Sequence, residues 1–518
     1  MQSLVEPAAT AHSPESLTAS LLARGEPGVV LLRSGCFELP EARYSLVAAR
    51  PFLTLRARGS ECELRTANGR SERLYGNPWR LLESLLARYE LLDAVDLPFP
   101  LGGAFGFWGY GLRRFVEPRL GAGPPDDLEL PDCIVGFHDS LVVFDHRTGR
   151  QTVVATGLRP DGSRDPRHAR QTGDDWHRRL QTGVGGSGSA ARTAERTRAG
   201  NRRPPRDPSR PTAELGLGGP LAGGANGAWP GSSLGPGTVG STFTRDGFCR
   251  AVQRARDYIR SGDIYQVNLA QRLHAPVATD AWGLFEHLVA RSPSPFAAFL
   301  EAGDFQLASL SPELFLRLSG AQVVTRPIKG TRPRSPDPIR DAQLAFELQT
   351  SAKELAELVM ITDLLRNDLG RVSEYGSVQV PELLRLEKYA HVQHLVSTVA
   401  GRLRSGTTHL AALAACFPGG SITGAPKIRA IEIIDELEPV ARGPYTGCAG
   451  YLGFNRESQL SILIRTAIVR GAEAWYHAGA GIVADSEPAA EYEETLAKAR
   501  GFLEAAAALA PRATAVAS

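Results

Sequence analysis

Lysine is the scarcest charged residue of this sequence. Only five of the 58 basic residues are lysine, and the other 53 are arginine. Arginine supplies positive charge but stays protonated and cannot act as an amine nucleophile, whereas lysine can. We therefore expect the remaining lysines to be enriched at positions where a guanidinium would not serve. All of them lie in the C-terminal half of the chain: Lys329, Lys353, Lys388, Lys427 and Lys498.

Further absences narrow the class of protein. None of the six cysteines forms a CxxC pair or has a histidine at metal-ligand spacing, which argues against a disulfide scaffold or a zinc site. No apolar run approaches the roughly 20 residues that span a bilayer, and the first residues do not read as a signal peptide. A net charge of +2 gives no strong field that would attract nucleic acid or a membrane surface. These absences predict a cytoplasmic enzyme with reduced thiols.

The composition changes twice along the chain, whose 518 residues suggest two or more folding units. Residues 1–159 have short apolar runs between turn residues, which predicts a mostly β region. Residues 160–240 are dominated by Gly, Arg, Ser, Thr and Pro, so we expect a disordered insert or linker that buries too little apolar surface to become ordered. A basic RNA-binding arm is the alternative, although interleaved aromatic residues are missing. Residues 241–510 predict mixed helices and strands.

Periodicity and capping signals give the individual elements. Asn77 followed by Pro78 predicts a helix start, and Thr244 predicts another. We expect helices over residues 77–92, 244–261, 338–367 (one long or two short), 411–417, 428–436 and 489–508. We expect strands over residues 29–32, 44–48, 102–110, 133–137, 141–144, 264–272, 321–325, 447–454, 460–468 and 475–484.

Two of the predicted helices carry paired carboxylates. Glu354 and Glu357 are separated by one helical turn, as are Glu491 and Glu494, so each pair lies on one helix face. If the two helices face each other, the four groups form an oxygen-rich site for a hard cation such as Mg²⁺. Two solvated acidic faces are the alternative interpretation of the same spacing.

Two features beside predicted strands could bind or attack a substrate. Residues 419–427 (GGSITGAPK) match a phosphate-binding loop only in glycine spacing, because Ala425 and Pro426 stand where Lys and Ser or Thr are required. Carboxylate recognition stays open, with Arg465 either gripping a carboxylate bidentately or acting as a salt-bridged strand residue. Lys329, in the segment PIKGT, is either a partly desolvated, reactive amine or a surface turn lysine.

An ordered set of segments carries a family resemblance. IYQVNLAQR, SPELF, RPIKGT, VMITDLLRND, HLVSTV, FPGGSITGAPKIRAIEIIDELE, YLGF, ILIRTA and AGAGIVADSEPAAEYEETLAKA resemble the chorismate-utilising enzymes, densely over residues 241–508 and more loosely before residue 160. This family includes anthranilate, aminodeoxychorismate, isochorismate and salicylate synthases. A lysine after Ile328 is usual in aminodeoxychorismate synthases of this type, whereas anthranilate synthases usually carry Ala there. Residues 265–268 lack the lysine with which isochorismate and salicylate synthases activate water.

The resemblance implies conversion of chorismate and ammonia to 4-amino-4-deoxychorismate, on the route to p-aminobenzoate and folate. Lys329 would attack C2 of the ring while Glu313, at the position of the family's general acid, protonates the departing C4 hydroxyl. Ammonia would then add at C4 and release the lysine. Positions that match substrate contacts of the family are Arg465, Gly481, Tyr445, His394 and Gly330.

The resemblance also implies a cofactor, a partner and a fold. Mg²⁺ would bind Glu357 and Glu494, with Glu354 and Glu491 as outer or water-mediated partners. Ser34 matches a position in an N-terminal tryptophan pocket of the family.

No cysteine lies on a glycine-rich elbow with a histidine partner, so we expect a separate glutamine amidotransferase subunit to supply the ammonia. The implied fold is α+β, with two large packed antiparallel sheets flanked by helices, and both sequence regions would contribute strands to this fold. Two other functions stay open: anthranilate synthase component I, and a catalytically silent chorismate-binding regulator.

Overall fold

Two antiparallel sheets of twelve strands each form the body of the protein. The computed structural model describes residues 3–8, 10, 12–35, 39–91, 97–181, 239–389 and 392–510. No helix within these ranges combines the length and the apolar character needed to cross a membrane. The helices are α1 (Pro14–Ala23), α2 (Pro78–Tyr89), α3 (Arg113–Val116), α4 (Pro166–Gln181), α5 (Arg245–Arg260), α6 (Ala281–Arg291), α7 (Pro338–Thr350), α8 (Ala352–Gly370), α9 (His409–Cys416), α10 (Lys427–Leu437) and α11 (Pro488–Ala508).

The first sheet contains strands from both the N-terminal and the C-terminal region of the sequence. From edge to edge it consists of β1 (Leu4–Ala8), β10 (Arg150–Ala155), β9 (Ser140–Asp145), β3 (Tyr44–Ala48), β2 (Val30–Arg33), β13 (Phe296–Glu301), β14 (Gln306–Ser311), β23 (Thr466–Arg470), β24 (Glu473–Ile482), β12 (Gln266–Pro276) and β11 (Gly240–Ser241), with β20 (Gly424–Ala425) also pairing with β12.

The second sheet also contains strands from both regions of the sequence. Its order is β17 (Ile328–Pro333), β19 (Val392–Arg402), β16 (Gln322–Arg326), β15 (Leu314–Ser319), β22 (Glu457–Ile462), β21 (Cys448–Gly453), β7 (Gly103–Trp108), β8 (Cys133–His138), β4 (Leu53–Arg58), β5 (Glu61–Thr66) and β6 (Ser71–Tyr75), with β18 (Gln379–Lys388) also pairing with β19. β19 pairs with β17 through its first half and with β16 through its second half.

Strands from the two sequence regions pair directly, so the expectation of separate folding units is wrong. β2 pairs with β13 in the first sheet, and β7 pairs with β21 in the second. Gly106 lies opposite Gly450 in the latter pair, and a Cβ at Gly106 would lie 2.0 Å from the carbonyl oxygen of Ile134. The strand predicted over residues 102–110 is therefore confirmed as β7, and neighbouring backbone approaches it closely. One hydrophobic core joins both regions because each sheet contains a block of strands from each of them.

Two layers of apolar side chains hold the sheets and helices together. The larger core joins the two sheets and contains Phe107, Phe315 and Leu307. The second core lies between the other face of the first sheet and its helices, and includes Trp176 and Phe502. Burial of one such side chain contributes about 1.5–3 kcal/mol relative to exposure. The sheets are thus fixed relative to each other, which is what a site built from several strands requires.

The insert predicted over residues 160–240 starts before the end of the ordered N-terminal region. Residues 166–181 form α4, whose buried residues include Ala169, Gly173, Trp176 and Leu180. These positions repeat at helical spacing and give the helix an apolar stripe against the first sheet, although the segment as a whole is polar. The indole nitrogen of Trp176 donates to the hydroxyl of Ser140 at 3.0 Å. Residues 182–238 lie outside the described residues, so for them the insert stays a prediction.

Two other predicted boundaries change. The strand predicted over residues 460–468 is two strands, because the chain leaves the second sheet after β22 and enters the first sheet as β23. Residues 338–367 form two helices, since Ser351 ends α7 and caps α8 by accepting from the backbone N–H of Glu354 at 3.4 Å. The caps predicted at Asn77 and Thr244 are confirmed.

Candidate active site

Lys329 and two glutamates reach one site from three elements. β17 carries Lys329, α8 packs against β17, and α11 packs against β24 of the first sheet. Nζ of Lys329 lies 3.6 Å from Oε2 of Glu357, and the Lys329 side chain is only 19% exposed. Glu494 also acts electrostatically on Glu357. Lys329 is therefore a largely buried strand residue rather than the surface turn lysine that the sequence left open.

Lysine ammonium groups act on both Glu357 and Glu494. Burial raises the pKa of Glu357; Lys329 and Lys353 oppose this rise, and the charge of Glu494 adds to it. Burial also acts to raise the pKa of Glu494, but lysine ammonium groups, chiefly that of Lys498, outweigh it and lower that pKa. Two like-charged carboxylates held this close favour a bound cation between them.

The other two glutamates are arranged differently. Oε1 of Glu491 lies 3.5 Å from Nζ of Lys353, and Oε2 of Glu491 is buried with no hydrogen-bond partner among the described residues. Glu354 pairs with Arg332 at 3.5 Å. No group of three or more His, Cys, Asp or Glu side chains in the described ranges could hold a metal ion. In the structure Glu354 and Glu491 are thus held in ion pairs, and a cation bound by Glu357 and Glu494, with Glu354 and Glu491 as outer partners, stays a prediction.

Sequence reasoning missed two lysines of this site. Nζ of Lys498 lies 2.8 Å from Oε1 of Glu494 and donates to the carbonyl oxygen of Gly479 at 2.8 Å. Lys353 faces the same carboxylates from α8. Together with Lys329, three of the five lysines of the chain lie at the site. Their scarcity was the signal that would have found them.

Glu313 lies in the turn between β14 and β15. It is buried, and burial raises the pKa of its carboxyl to about 7, whereas a hydrogen bond from Ser421 and the charge of Lys329 act to lower it. A carboxyl with this pKa is substantially protonated at neutral pH, as a general acid must be. Its interaction with Lys329 brings it to the same site, while its role stays a prediction.

Gly481 lies next to Lys329 and Gln266. It lies opposite Asn268 in the pair of β12 and β24, and a Cβ on it would lie 2.4 Å from Nε2 of Gln266 and 3.4 Å from Nζ of Lys329. Oε1 of Gln266 is buried without a hydrogen-bond partner among the described residues. Gln266 thus has an acceptor for a bound molecule. In the sequence, this segment predicted a strand and lacked the water-activating lysine, and neither feature indicated a role for Gln266.

Arg465 lies where the chain passes between the sheets. Its φ of 51° is left-handed, which costs a non-glycine residue roughly 1–3 kcal/mol and is typical of functional positions. None of the ion pairs found among the described residues includes its guanidinium, so the salt-bridged alternative does not hold within them. The guanidinium is therefore available to a substrate carboxylate.

His394 and Gly330 lie beside each other on paired strands. Nδ1 of His394 lies 2.9 Å from Oγ1 of Thr331 and 3.3 Å from the carbonyl oxygen of Gly330. Burial, with a smaller effect of the Arg465 charge, lowers the pKa of His394 to about 4, so the imidazole is neutral. Gly330 has a φ of 70°, and a Cβ on it would lie 2.6 Å from Cδ1 of Leu348. Only glycine fits there.

Tyr445 belongs to the wall next to Gly481. Its ring stacks on His477 with centroids 4.9 Å apart, and its hydroxyl interacts with Asn268. The hydroxyl lies 2.8 Å from where a Cβ on Gly479 would be. Tyr445 is therefore held beside the β12–β24 pair that also carries Gly481.

Ser34 lines a different cavity. Its hydroxyl donates to the carbonyl oxygen of Tyr44 at 2.8 Å, and its N–H donates to Oγ of Ser45 at 3.0 Å. The cavity, which Glu41 also lines, has a volume of about 40 Å³. The tryptophan-contacting role of Ser34 stays a prediction.

Known proteins resemble this chain over most of its length. The family described as chorismate binding enzyme matches residues 224–504. Anthranilate synthase component 1 of Thermus thermophilus is 42% identical over 431 residues, which are 82% of each chain. Aminodeoxychorismate synthase component 1 of Escherichia coli is 37% identical over 480 residues, 92% of this chain and 93% of that one.

A solved structure has the same architecture. Anthranilate synthase component I from Streptococcus pneumoniae superposes with a TM-score of 0.70 at 31% identity, covering 90% of this chain and 93% of the other. The predicted fold class, two large antiparallel sheets with flanking helices, is thereby confirmed. Most of the similar proteins found carry the anthranilate synthase name, so similarity alone does not separate the two reactions.

Proposed function

Because the chain belongs to the chorismate-binding enzyme family, we propose that it converts chorismate and ammonia to 4-amino-4-deoxychorismate. The observation that carries the proposal is the amine of Lys329, which lies 3.6 Å from Oε2 of Glu357 and 3.4 Å from where a Cβ on Gly481 would be. The alanine that anthranilate synthases usually carry at this position would leave no nucleophile in the site.

The proposed reaction consists of two allylic displacements. The neutral amine of Lys329 bonds to C2 of the ring, the ring double bond shifts, and the C4–O bond breaks. Glu313 gives its proton to the departing hydroxyl, which leaves as water, and the alkylated amine loses one proton. The proton lost by the alkylated amine returns to the Glu313 carboxylate. Ammonia then bonds to C4, the double bond shifts back, and the C2–N bond breaks as the lysine nitrogen takes one proton from the new C4 ammonium, which restores the neutral amine. Two displacements at one site replace a direct substitution of hydroxide, which is a poor leaving group.

The remaining side chains position the substrate. Arg465 grips one carboxylate bidentately, and Tyr445 and neutral His394 line the walls that contact the ring. Glu357 and Glu494 would hold Mg²⁺, which when bound supplies positive charge for a substrate carboxylate. The repulsion between the carboxylate of Glu357, which is 11% exposed, and that of Glu494, which is 45% exposed, supports this assignment.

The ammonia would come from a partner. The name component 1 of the similar proteins implies a second component, and we propose a glutamine amidotransferase in that role. Among the described cysteines, four are buried and Cys249 is partly exposed. Burial raises the pKa of Cys416 to about 12, which makes it a poor nucleophile for glutamine hydrolysis.

Product identification tests the proposal. Purified protein with chorismate, Mg²⁺ and ammonium should give 4-amino-4-deoxychorismate, detected by liquid chromatography and mass spectrometry. The names of the similar proteins favour anthranilate synthase as the second candidate, which would release fluorescent anthranilate and pyruvate instead. Failure to turn over chorismate under any ammonia supply would support the silent regulator.

A further inference from the structure

Arg442 is a buried arginine that lies against Tyr445. Its side chain pairs with that of Glu438, the residue at which α10 ends. Nε of Arg442 donates to Oε2 of Glu438 at 2.8 Å, and Nη2 donates to Oε1 at 2.6 Å. Oε1 of Glu438 also accepts from the backbone N–H of Ala270 in β12 at 2.9 Å, which fixes the carboxylate. This bidentate, charge-assisted pair therefore sets the plane of the guanidinium.

The remaining donors of this guanidinium join segments that meet beside the site. Nη2 also donates to the carbonyl oxygen of Asn268 at 2.7 Å, and Nη1 donates to the carbonyl oxygen of Ile422 and to Oγ1 of Thr446, each at 3.2 Å. All five N–H groups of the arginine are thereby used. A lysine ammonium has three donors and no plane, so it could not make the same set of contacts. This position requires a guanidinium.

Two tyrosine rings lie against the guanidinium. Its central carbon is 5.5 Å from the ring centroid of Tyr445 and 5.0 Å from that of Tyr110. Because hydrogen bonds occupy the edges of the guanidinium, its faces are left for these rings, and a cation over an aromatic face is attracted to it. The ring of Tyr445 also stacks on His477 with the two planes 8° apart. A cation and an imidazole thus hold the Tyr445 ring.

The backbone that follows Tyr445 is strained. Thr446 has a φ of 61°, which a β-branched residue rarely adopts. Its N–H donates to the carbonyl oxygen of Leu463 at 2.8 Å. Its hydroxyl accepts from Arg442 and donates to the carbonyl oxygen of Tyr445 at 2.6 Å. Strain of this kind persists only where surrounding contacts fix the backbone. Arg442 is therefore one of the contacts that hold the turn in which Tyr445 lies.

We propose that Arg442 is a positioning residue whose guanidinium, oriented by Glu438, fixes the ring of Tyr445 and so places the Tyr445 hydroxyl at the site before substrate binds. That hydroxyl lies 2.8 Å from where a Cβ on Gly479 would be, on the strand that also carries Gly481. The consequence for substrate binding rests on the proposed function, in which Tyr445 contacts chorismate. The contacts that hold the ring do not rest on that function.

Fluorine NMR of protein labelled with meta-fluorotyrosine tests the proposal without turnover. The chain has 12 tyrosines, and the resonance of Tyr445 is the one lost in Tyr445→Phe. Arg442→Lys keeps a positive charge beside Glu438 but removes the guanidinium plane and two of its donors. The Tyr445 resonance should therefore shift and broaden in Arg442→Lys, because the ring loses one of the groups that hold it.

Arg113→Lys is the matched control. Arg113 is also buried, pairs with Asp435 of α10 at 2.5 Å and has its central carbon 4.2 Å from the ring centroid of Tyr110. Among its described contacts is the ring of Tyr110 but not that of Tyr445. The same substitution at this position should leave the Tyr445 resonance in place. A wild-type resonance in Arg442→Lys, or an equal change in Arg113→Lys, would overturn the proposal.

Steady-state kinetics show whether Arg442 acts through Tyr445. A contact made equally in the ground state and the transition state changes KM and not kcat, so Arg442→Lys should raise the KM for chorismate roughly tenfold with little change in kcat. Arg113→Lys should keep the wild-type KM. Tyr445→Leu removes the ring and should also raise KM, and adding Arg442→Lys to it should have little further effect. An equal second rise in the double variant would show that Arg442 acts independently of Tyr445, contrary to the proposal.

Thr446→Val keeps the shape of the side chain and removes the hydroxyl that accepts from Arg442. It should shift the Tyr445 resonance in the same direction, and it provides the comparison should Arg442→Lys fail to fold. An unchanged resonance in Thr446→Val would contradict the proposed hold on the turn.

Chorismate added to the wild type without ammonia separates this proposal from the proposed function. It should shift the Tyr445 resonance. No shift would refute the place of Tyr445 in the proposed function, whereas the dependence of the resonance on Arg442 would still be decided by the variants.

Discussion

Nζ of Lys329 lies 3.6 Å from Oε2 of Glu357, which joins the proposed nucleophile to a carboxylate proposed to bind the cation. The distance is that of an ion pair without a tight hydrogen bond. A protonated amine cannot attack, so the lysine must lose its proton and its carboxylate contact before it reacts. We expect a cation bound at Glu357 to compete for that carboxylate and so to release the amine.

Lys329 should be needed as an amine and not only as a charge. Lys329→Arg keeps the charge but not the nucleophile, because guanidinium stays protonated, so it should lose most product formation. Lys388→Arg is the control, since Lys388 is 42% exposed and pairs with Asp341 outside the site. Intact-protein mass spectrometry after incubation with chorismate and Mg²⁺, without ammonia, should show an adduct on wild type and on Lys388→Arg.

Lys329→Ala sharpens the same test. It removes the nucleophile and opens space in which ammonia can reach C2 directly, so slow turnover should shift towards the 2-amino isomer or anthranilate. No adduct should form on it. If wild type traps no adduct and Lys329→Arg turns over normally, the lysine is only a charge that binds substrate.

Local signals predicted the elements well. The strand predicted over residues 44–48 coincides with β3, and Asn77 and Thr244 cap the helices as expected. The break near Arg465 was not predictable, because apolar residues continue through it and only the packing of two sheets decides where the chain changes sheet. The helix around Trp176 was missed because its apolar stripe is thin within a polar composition.

The site, too, has features that the sequence predicts and features that only tertiary packing determines. Residue types and spacing identified Lys329 and the two glutamate pairs, because their chemistry is visible in the sequence. That α8 and α11 bring Glu357 and Glu494 together, and leave Glu354 paired with Arg332, depends on tertiary packing.

Turnover should fall as pH rises through about 7. Burial raises the pKa of Glu313 to about 7, and the acid form, which dominates below that pH, is the one that can protonate the leaving group. The alkaline limb of the kcat profile reports this group if Glu313→Gln, which cannot titrate, loses activity at all pH values. A limb that persists unchanged in an active Glu313→Gln would assign it to another residue.

Glu357→Gln and Glu494→Gln should bind divalent cation more weakly than wild type. Removing a direct ligand should cost more than the roughly 10–100-fold typical of an outer partner. Glu493→Gln is the matched control on the same helix, since Glu493 is 62% exposed and lies 3.7 Å from Arg245. Mn²⁺ binding followed by electron paramagnetic resonance measures affinity without turnover. Unchanged affinity in both site variants would argue against the assignment.

Breaking the buried ion pair of Arg442 and Glu438 should lower the free energy of unfolding far more than breaking an exposed pair. Their side chains are 1% and 3% exposed and lie 2.6 Å apart. Arg442→Leu leaves a buried carboxylate unpaired, which should cost about 3–5 kcal/mol in the free energy of unfolding. Asp363→Asn breaks an exposed pair with Arg366 and should cost less than about 1 kcal/mol. Urea unfolding compares the two; equal losses would contradict the burial argument.

α4 should be needed for stability, whereas most of the segment that follows it should not. Residues 186–235 contain few large apolar side chains, so replacing them with a Gly/Ser linker of about 20 residues should leave the melting temperature and ammonia-dependent turnover nearly unchanged. Extending the replacement back to residue 165 also removes Trp176 and Leu180 from the second core. Loss of one large buried aromatic costs about 3–5 kcal/mol, so this longer deletion should be strongly destabilised or insoluble. Calorimetry of both variants beside wild type measures the difference. Destabilisation of the shorter replacement to the same extent would show that residues 186–235 contribute to the fold, contrary to their composition.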